Sequence, residues 1–244
     1  MKDPSRIPQV LAQLQRVWEA QPDLTLPTLF GMLGNRGIGW GNTDEDLVEA
    51  LLTLYRENPG EVRGYAAACA PMSEEVVRGR FLVETESPAF RVTVDPYRVS
   101  VRRINREQPA PQPGVWEFEK LRRCRSGEPL VITDTEGVEH RFGVVVRITL
   151  LNENPTAEIE SLTGVRRRKL GDKTYQLIFD DGDTALLNHG LELYQSSRRT
   201  VEQRSVKWDQ LISATPGQTF KVQETGSGAV MELGMLEKII PLEG

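Results

Sequence analysis

Cysteine and histidine are scarce in this chain: Cys69 and Cys124 are its only two thiols, His140 and His189 its only two imidazoles. Two cysteines cannot build a disulfide framework, and a reducing, cytoplasmic setting is the simplest expectation. Neither histidine has a ligand or nucleophile at a recognisable spacing, so no catalytic residue, metal or cofactor is assigned. No apolar run approaches the ~20 residues that span a bilayer, and Met1-Lys2-Asp3-Pro4 opens no hydrophobic leader. A membrane partner is therefore not expected.

What is present is globular. The 244 residues suffice for one large or two ordinary domains, and 39% are hydrophobic, so disorder is not the default. The net charge of -5 conceals a gradient. Residues 1–86 hold 8 basic and 13 acidic side chains, 87–207 hold 20 and 17, and 208–244 hold 2 and 5.

The spacing of apolar residues predicts three helices at the start. Ser5 can cap the first, whose Ile7, Val10, Leu11, Leu14, Val17 and Trp18 recur every three or four residues on one face. Pro8 fits its first turn and Pro22 ends it. The second starts near Thr25 and buries Leu26, Leu29, Phe30 and Leu33 before Gly34 and Gly37. Thr43-Asp44-Glu45-Asp46 is a capping-box pattern for the third, which carries Leu47, Val48, Leu51, Leu52, Leu54 and Tyr55 and closes at Asn58-Pro59-Gly60. None is long enough to be stable alone, so the stripes must bury one another.

Leu14-Gln15, Trp18, Pro22-Asp23 and Leu26, with the acidic start at Asp44–Asp46, resemble the YihD-like family. This is a group of small bacterial proteins without an established activity. The resemblance covers about the first fifty residues, departs at Gly37-Ile38-Gly39-Trp40-Gly41, and implies no catalytic residue.

Gly37, Gly39 and Gly41 follow a helix rather than a strand and lack a Lys-Ser/Thr pair. They read as a tight turn with Trp40 packed as a lid, not a phosphate loop. A DNA-reading helix-turn-helix is disfavoured, because Asp44, Glu45, Asp46, Glu49 and Glu57 would repel a phosphate backbone. A protein is the expected partner of this module, through Trp40, Asp44 and Asp46.

Beyond residue ~80 the hydrophobic period falls to two. Strands are expected at 80–84, 90–94, 99–104, 129–133, 141–150, 174–179, 183–187, 220–223 and 230–239. Pro109, Pro111 and Pro113 mark an extended linker. The chain also repeats. Phe118-Glu119-Lys120-Leu121 matches Trp208-Asp209-Gln210-Leu211, and Gly127, Leu130 and Ile132 match Gly217, Phe220 and Val222, all displaced by ninety. After one inserted residue, Gly137, Phe142-Gly143 and Ile148 match Gly228, Leu233-Gly234 and Ile239. Each copy reads as a short amphipathic helix followed by two strands, preceded by a looser match of Phe90–Asp95 to Tyr175–Asp180. Asp180-Asp181-Gly182-Asp183 suits a type I′ hairpin and resembles the returning hairpin of SH3-like and Tudor-like barrels; its carboxylates do not follow an EF-hand's ligand order.

The expected architecture is α+β. A helical module (1–60) and a linker (61–80) precede a duplicated, mostly antiparallel, small-barrel-like region (81–150 and 151–244). Cys124 lies among Arg122, Arg123 and Arg125, which could lower its pKa and make it reactive; an inert thiol on a charged helix is the plainer reading. Arg91, Arg98, Arg102, Arg103, Arg106, Lys120, Arg122, Arg123 and Arg125 form one basic segment. Arg166-Arg167-Arg168-Lys169 forms a second, and Arg198, Arg199, Arg204 and Lys207 a third. Arginine suits bidentate phosphate contacts, so nucleic acid is a candidate partner, with Trp116 or Phe118 as a stacking surface. Solvated edges that block strand aggregation are the competing reading. The leading function is a non-enzymatic binding or adaptor protein. The alternatives are an enzyme using Cys124 or the Asp180–Asp183 carboxylates, and a structural part of a phage or defence assembly.

Overall fold

The computed structural model describes residues 3–104, 111–196 and 201–244; Arg106, Pro109, Arg198 and Arg199 lie outside them. The chain forms two compact units, Met1–Pro155 and Thr156–Gly244. The helical module belongs to the first.

Helices α1 (Arg6–Ala20), α2 (Leu26–Asn35) and α3 (Asp44–Glu57) stand where the apolar spacing places them. Thr25 and Thr43 cap the second and third with their side chains, and Asp46 completes the capping box. Ser5 does not cap α1; its hydroxyl donates to Asp3 instead. Val17, Leu29, Leu33, Leu51 and Leu54 make the module's core. Ile7, Leu11, Trp18 and Phe30 remain exposed, because three short helices offer too little facing surface to cover the whole of each stripe. Trp40 is not a lid: it is fully exposed in the α2–α3 turn. The last turn of α1 is tied to the sheet, where the Ser126 hydroxyl donates to the Ala20 carbonyl at 2.9 Å.

The first sheet contains β1 (Gly64–Tyr65), β2 (Arg80–Glu86), β3 (Phe90–Val94), β4 (Val99–Arg103), β5 (Gly114–Trp116), β6 (Phe118–Arg123), β7 (Pro129–Asp134) and β8 (Glu139–Asn152). Their order is β1-β6-β7-β8-β2-β3-β4-β5. Residues 61–80 are thus no free linker. β1 pairs with β6, and Val62 and Ala66 donate main-chain bonds to Cys124 and Glu119.

The second sheet contains β9 (Thr174–Phe179), β10 (Thr184–Leu187), β11 (Leu191–Ser196), β12 (Val201–Val206), β13 (Trp208–Ser213), β14 (Thr219–Glu224) and β15 (Val230–Glu243), in the order β12-β11-β10-β9-β15-β14-β13. Read from its other edge, that is the order of the first sheet without β1. The registers agree as well. Leu121 faces Ile132 and Leu211 faces Val222, while Val83 faces Ile148 and Leu177 faces Ile239. The duplication is therefore one of topology and register. The looser match needs shifting by one strand: β2, not β3, is the counterpart of β9. The inserted residue falls in the last turn, closed by Gly137 N–H to Asp134 in one unit and by Gly228 N–H to Glu224 in the other.

The expected helices at 118–121 and 208–211 are strands β6 and β13. Bulges follow Phe118 and Leu121, and again Trp208 and Leu211. Each bulge spends one residue without advancing the pairing. Phe118, Leu121 and Cys124 all point into the core, as do Trp208, Leu211 and Ala214. A spacing of three, the mark of a helix, arises here from a strand bulged twice. The Asp180–Asp183 hairpin forms, but the type is corrected. Gly182 (φ 87) has a left-handed backbone while Asp181 does not, and Gly182 N–H returns to Phe179. This is a type I turn with a glycine bulge rather than I′.

In the first unit, Arg80 and Asp95 are buried at 2% exposure each, with Nε and Nη2 donating to Oδ2 at 3.1 and 3.0 Å. Oδ1 accepts the N–H groups of Tyr97 and Arg98, so the pair pins β2 to the β3–β4 turn. The register-equivalent residues of the second unit are Thr174 and Asn188, both neutral. Removing one member of a buried pair strands the other. Arg80→Ala is expected to cost about 3–5 kcal/mol in urea unfolding, and the double variant Arg80→Thr/Asp95→Asn less than the sum of its single changes.

Candidate functional site

The basic clusters separate once their surroundings are known. Arg122 lies 3.4 Å from Glu139, Arg123 3.5 Å from Glu128 and Arg125 3.9 Å from Glu128, all at the surface. These arginines already lie beside carboxylates, Glu139 of β8 and Glu128 of the β6–β7 turn, the second shared by Arg123 and Arg125. Arg102 faces Arg91 in the β3–β4 register, and both are engaged in contacts; exposed Arg103 stands over the Phe90 ring at 5.7 Å. Neither cluster presents a row of free cations.

Arg166, Arg167, Arg168 and Lys169 do. Arg166 bridges Gln210 of β13, and residues 167–169 form a single 3-10 turn. Apolar anchors flank the turn: Leu162 and Leu170 are buried, and Val165 packs on the second core. Main-chain bonds from Leu211 N–H to Val165 and from Gly164 N–H to Leu211, at 2.9 and 2.7 Å, tie the segment to β13. Arg166, Arg168 and Lys169 point to solvent and Arg167 is half-buried. None of the four has an ion-pair partner among the described residues.

The acidic candidates have local work. Asp44 pairs with Arg6, and Asp46 caps α3 by accepting Thr43 N–H at 2.8 Å. That bond, with a contribution from Asn42, holds the Asp46 carboxyl below its ordinary pKa. Of the residues expected to meet a partner through the helical module, Trp40 alone is uncommitted. At the hairpin tip, Asp181 accepts Asp183 N–H and Asp183 accepts from Gln195, and the described residues contain no group of three or more potential metal ligands.

Cys124 is not a reactive thiol. It is fully buried, and burial pushes its pKa up to about 12, which agrees with the inert reading, on a sheet rather than a helix, and not with activation by its arginine neighbours. Those side chains point outward from a strand while the sulfur points inward.

One constellation escaped the sequence. His140 near the start of β8 and Asp134 at the end of β7 meet across the turn of residues 135–138, Nε2 to Oδ2 at 2.7 Å. Beside them stand Trp116 of β5 and Phe142 of β8. The Trp116 ring centroid lies 5.6 Å from His140 and 5.9 Å from Phe142, and the His140 and Phe142 planes are within 13° of parallel. With Glu117, Thr135 and Glu136 they line a surface pocket of about 410 Å³. The Trp116 indole N–H is buried without an acceptor among the described residues, an unmade bond of about 1–3 kcal/mol. Trp116 thus lies among carboxylates, and Phe118 is buried, so neither offers nucleic acid a stacking platform. The signal in sequence was a hairpin with Asp and His six residues apart, legible only once the turn is known.

Among the described residues no helix is long and apolar enough to cross a membrane. Compared with protein-family models, curated proteins and solved structures, the chain matches none.

The His140 bond, then the main-chain N–H groups of Val138 and Glu136, hold the Asp134 carboxyl below its ordinary pKa. A depressed folded-state pKa stabilises the protein above the unfolded value, and that contribution disappears as pH falls through the folded value. His140→Met is expected to raise the Asp134 pKa toward the ordinary ~4 in a carboxyl NMR titration and to flatten the acid limb of stability. An unmoved Asp134 would show that the imidazole does not set its charge.

Proposed function

We propose that the chain is a non-enzymatic adaptor that holds a polyanion, the phosphate backbone of nucleic acid foremost, on Arg166–Lys169 of its second unit. The observation that carries this reading is four consecutive cations tethered to β13 with no ion pair among the described residues, whereas Arg122 lies beside Glu139 and Arg123 and Arg125 share Glu128. Arginine forks suit phosphate oxygens, and a pre-tethered segment loses less entropy on binding. A protein partner belongs on the helical module, where Trp40 offers an uncovered indole. The YihD-like resemblance adds a bacterial setting, and the two free cysteines accord with a reducing, cytoplasmic one.

The experiment is anisotropy of labelled DNA and RNA oligonucleotides against salt. Each phosphate contact lowers the log–log slope by about 0.9, so Arg166→Ala/Arg167→Ala/Arg168→Ala should weaken binding at least about tenfold and flatten the slope by about 2–3. Arg122→Gln/Arg123→Gln/Arg125→Gln should leave the slope as it was. Unchanged affinity in the first variant, with its fold retained, overturns the assignment.

A further inference from the structure

We propose that the pocket of Trp116, His140 and Phe142 in the first unit is a receptor for a basic side chain, arginine or lysine, carried on an extended segment of a partner protein. Three observations converge on that chemistry. Aromatic faces present negative potential to a cation, and three rings meet here within 6.4 Å of one another around a space of about 410 Å³. The rim is acidic: Glu117 and Glu136 are exposed lining residues without an ion pair among the described residues, and Asp134 lies deeper on His140. Among the described residues no lysine or arginine lines the pocket. A nucleotide would bring its phosphate against these carboxylates, and a purely apolar ligand would desolvate them without compensation.

The third observation comes from the duplication. Register places Val206 where the first unit has Trp116, Met231 in place of His140 and Leu233 in place of Phe142. Continuing along the chain, Lys207 stands for Glu117, and the longer turn 225–228 carries no acid in place of Glu136. The same frame therefore carries aliphatic side chains in place of the three rings and keeps an acid only at Glu224, in place of Asp134. Neither the aromatic walls nor the two free carboxylates are required by the fold, so their presence in one unit alone points to a ligand.

The test uses the whole chain and short blocked peptides, Gly-X-Gly with X as arginine, lysine, neutral citrulline or glutamate. Binding is read by ¹H–¹⁵N NMR at the Trp116 indole. The arginine or lysine peptide should shift that signal saturably, with citrulline about tenfold weaker and glutamate without effect. Glu117→Gln/Glu136→Gln, at two exposed positions, should weaken the basic peptide about tenfold. Trp116→Val, which installs the residue of the second unit, should abolish the response, read then at the Phe142 and Glu117 amides. If that variant fails to fold, the glutamine pair decides. Equal binding of citrulline or glutamate, no saturable shift from either basic peptide, or displacement of the peptide by an oligonucleotide would overturn the proposal.

Discussion

The first unit depends on one long strand that serves two neighbours. The first half of β8 pairs with β7, its second half with β2, and the change of partner occurs across Gly143. Gly143 has φ 38, and a Cβ there would lie well inside contact distance of the Glu86 and Pro88 carbonyl oxygens. Only glycine lets the strand turn this corner. On one side of the corner His140 and Phe142 reach Trp116; on the other Val145 and Ile148 enter the core. β15 repeats the arrangement between β14 and β9, with a register break before Met235. Pocket and core are consequences of the same bend.

Much of the architecture was legible because local signals agree with it. Helix caps at Thr25 and Thr43, the Asp-Gly hairpin and the ninety-residue displacement each appear in the chain as a short pattern. The failures have a common physical origin. The double bulges of β6 and β13 convert a strand's period of two into three, which imitates a helix. Residues 61–80 join the sheet through main-chain bonds that no side-chain pattern reports. β12 reads Val-Glu-Gln-Arg-Ser-Val, too polar to be recognised, because it lies at a sheet edge.

The candidate sites divide along similar lines. A run such as Arg166–Lys169 is visible in any sequence, but its freedom from carboxylates is a property of the fold. Arg122 and Arg123 look equally available until Glu139 and Glu128 are found beside them. The Trp116 pocket draws on β5, β7 and β8, so its members are brought together only by strand order. The two units then use one frame differently. The second leaves a basic segment unmatched, and the first places aromatic rings among carboxylates. The repeat supplies the frame twice; the aromatic rings are side chains of that frame, whereas the basic segment precedes the repeated strands of the second unit.

The measurement that bears most directly on this division is residue-resolved amide mapping of the whole chain at low salt with an oligonucleotide bound. The account predicts that shifts or protection gather at Val165–Leu170 and the adjoining Gln210, reverse on adding salt, and spare Trp116, Asp134 and His140. Oligonucleotide-dependent changes centred on the Trp116 pocket, or on the paired Arg122–Arg125 segment with Arg166–Lys169 unaffected, would contradict it.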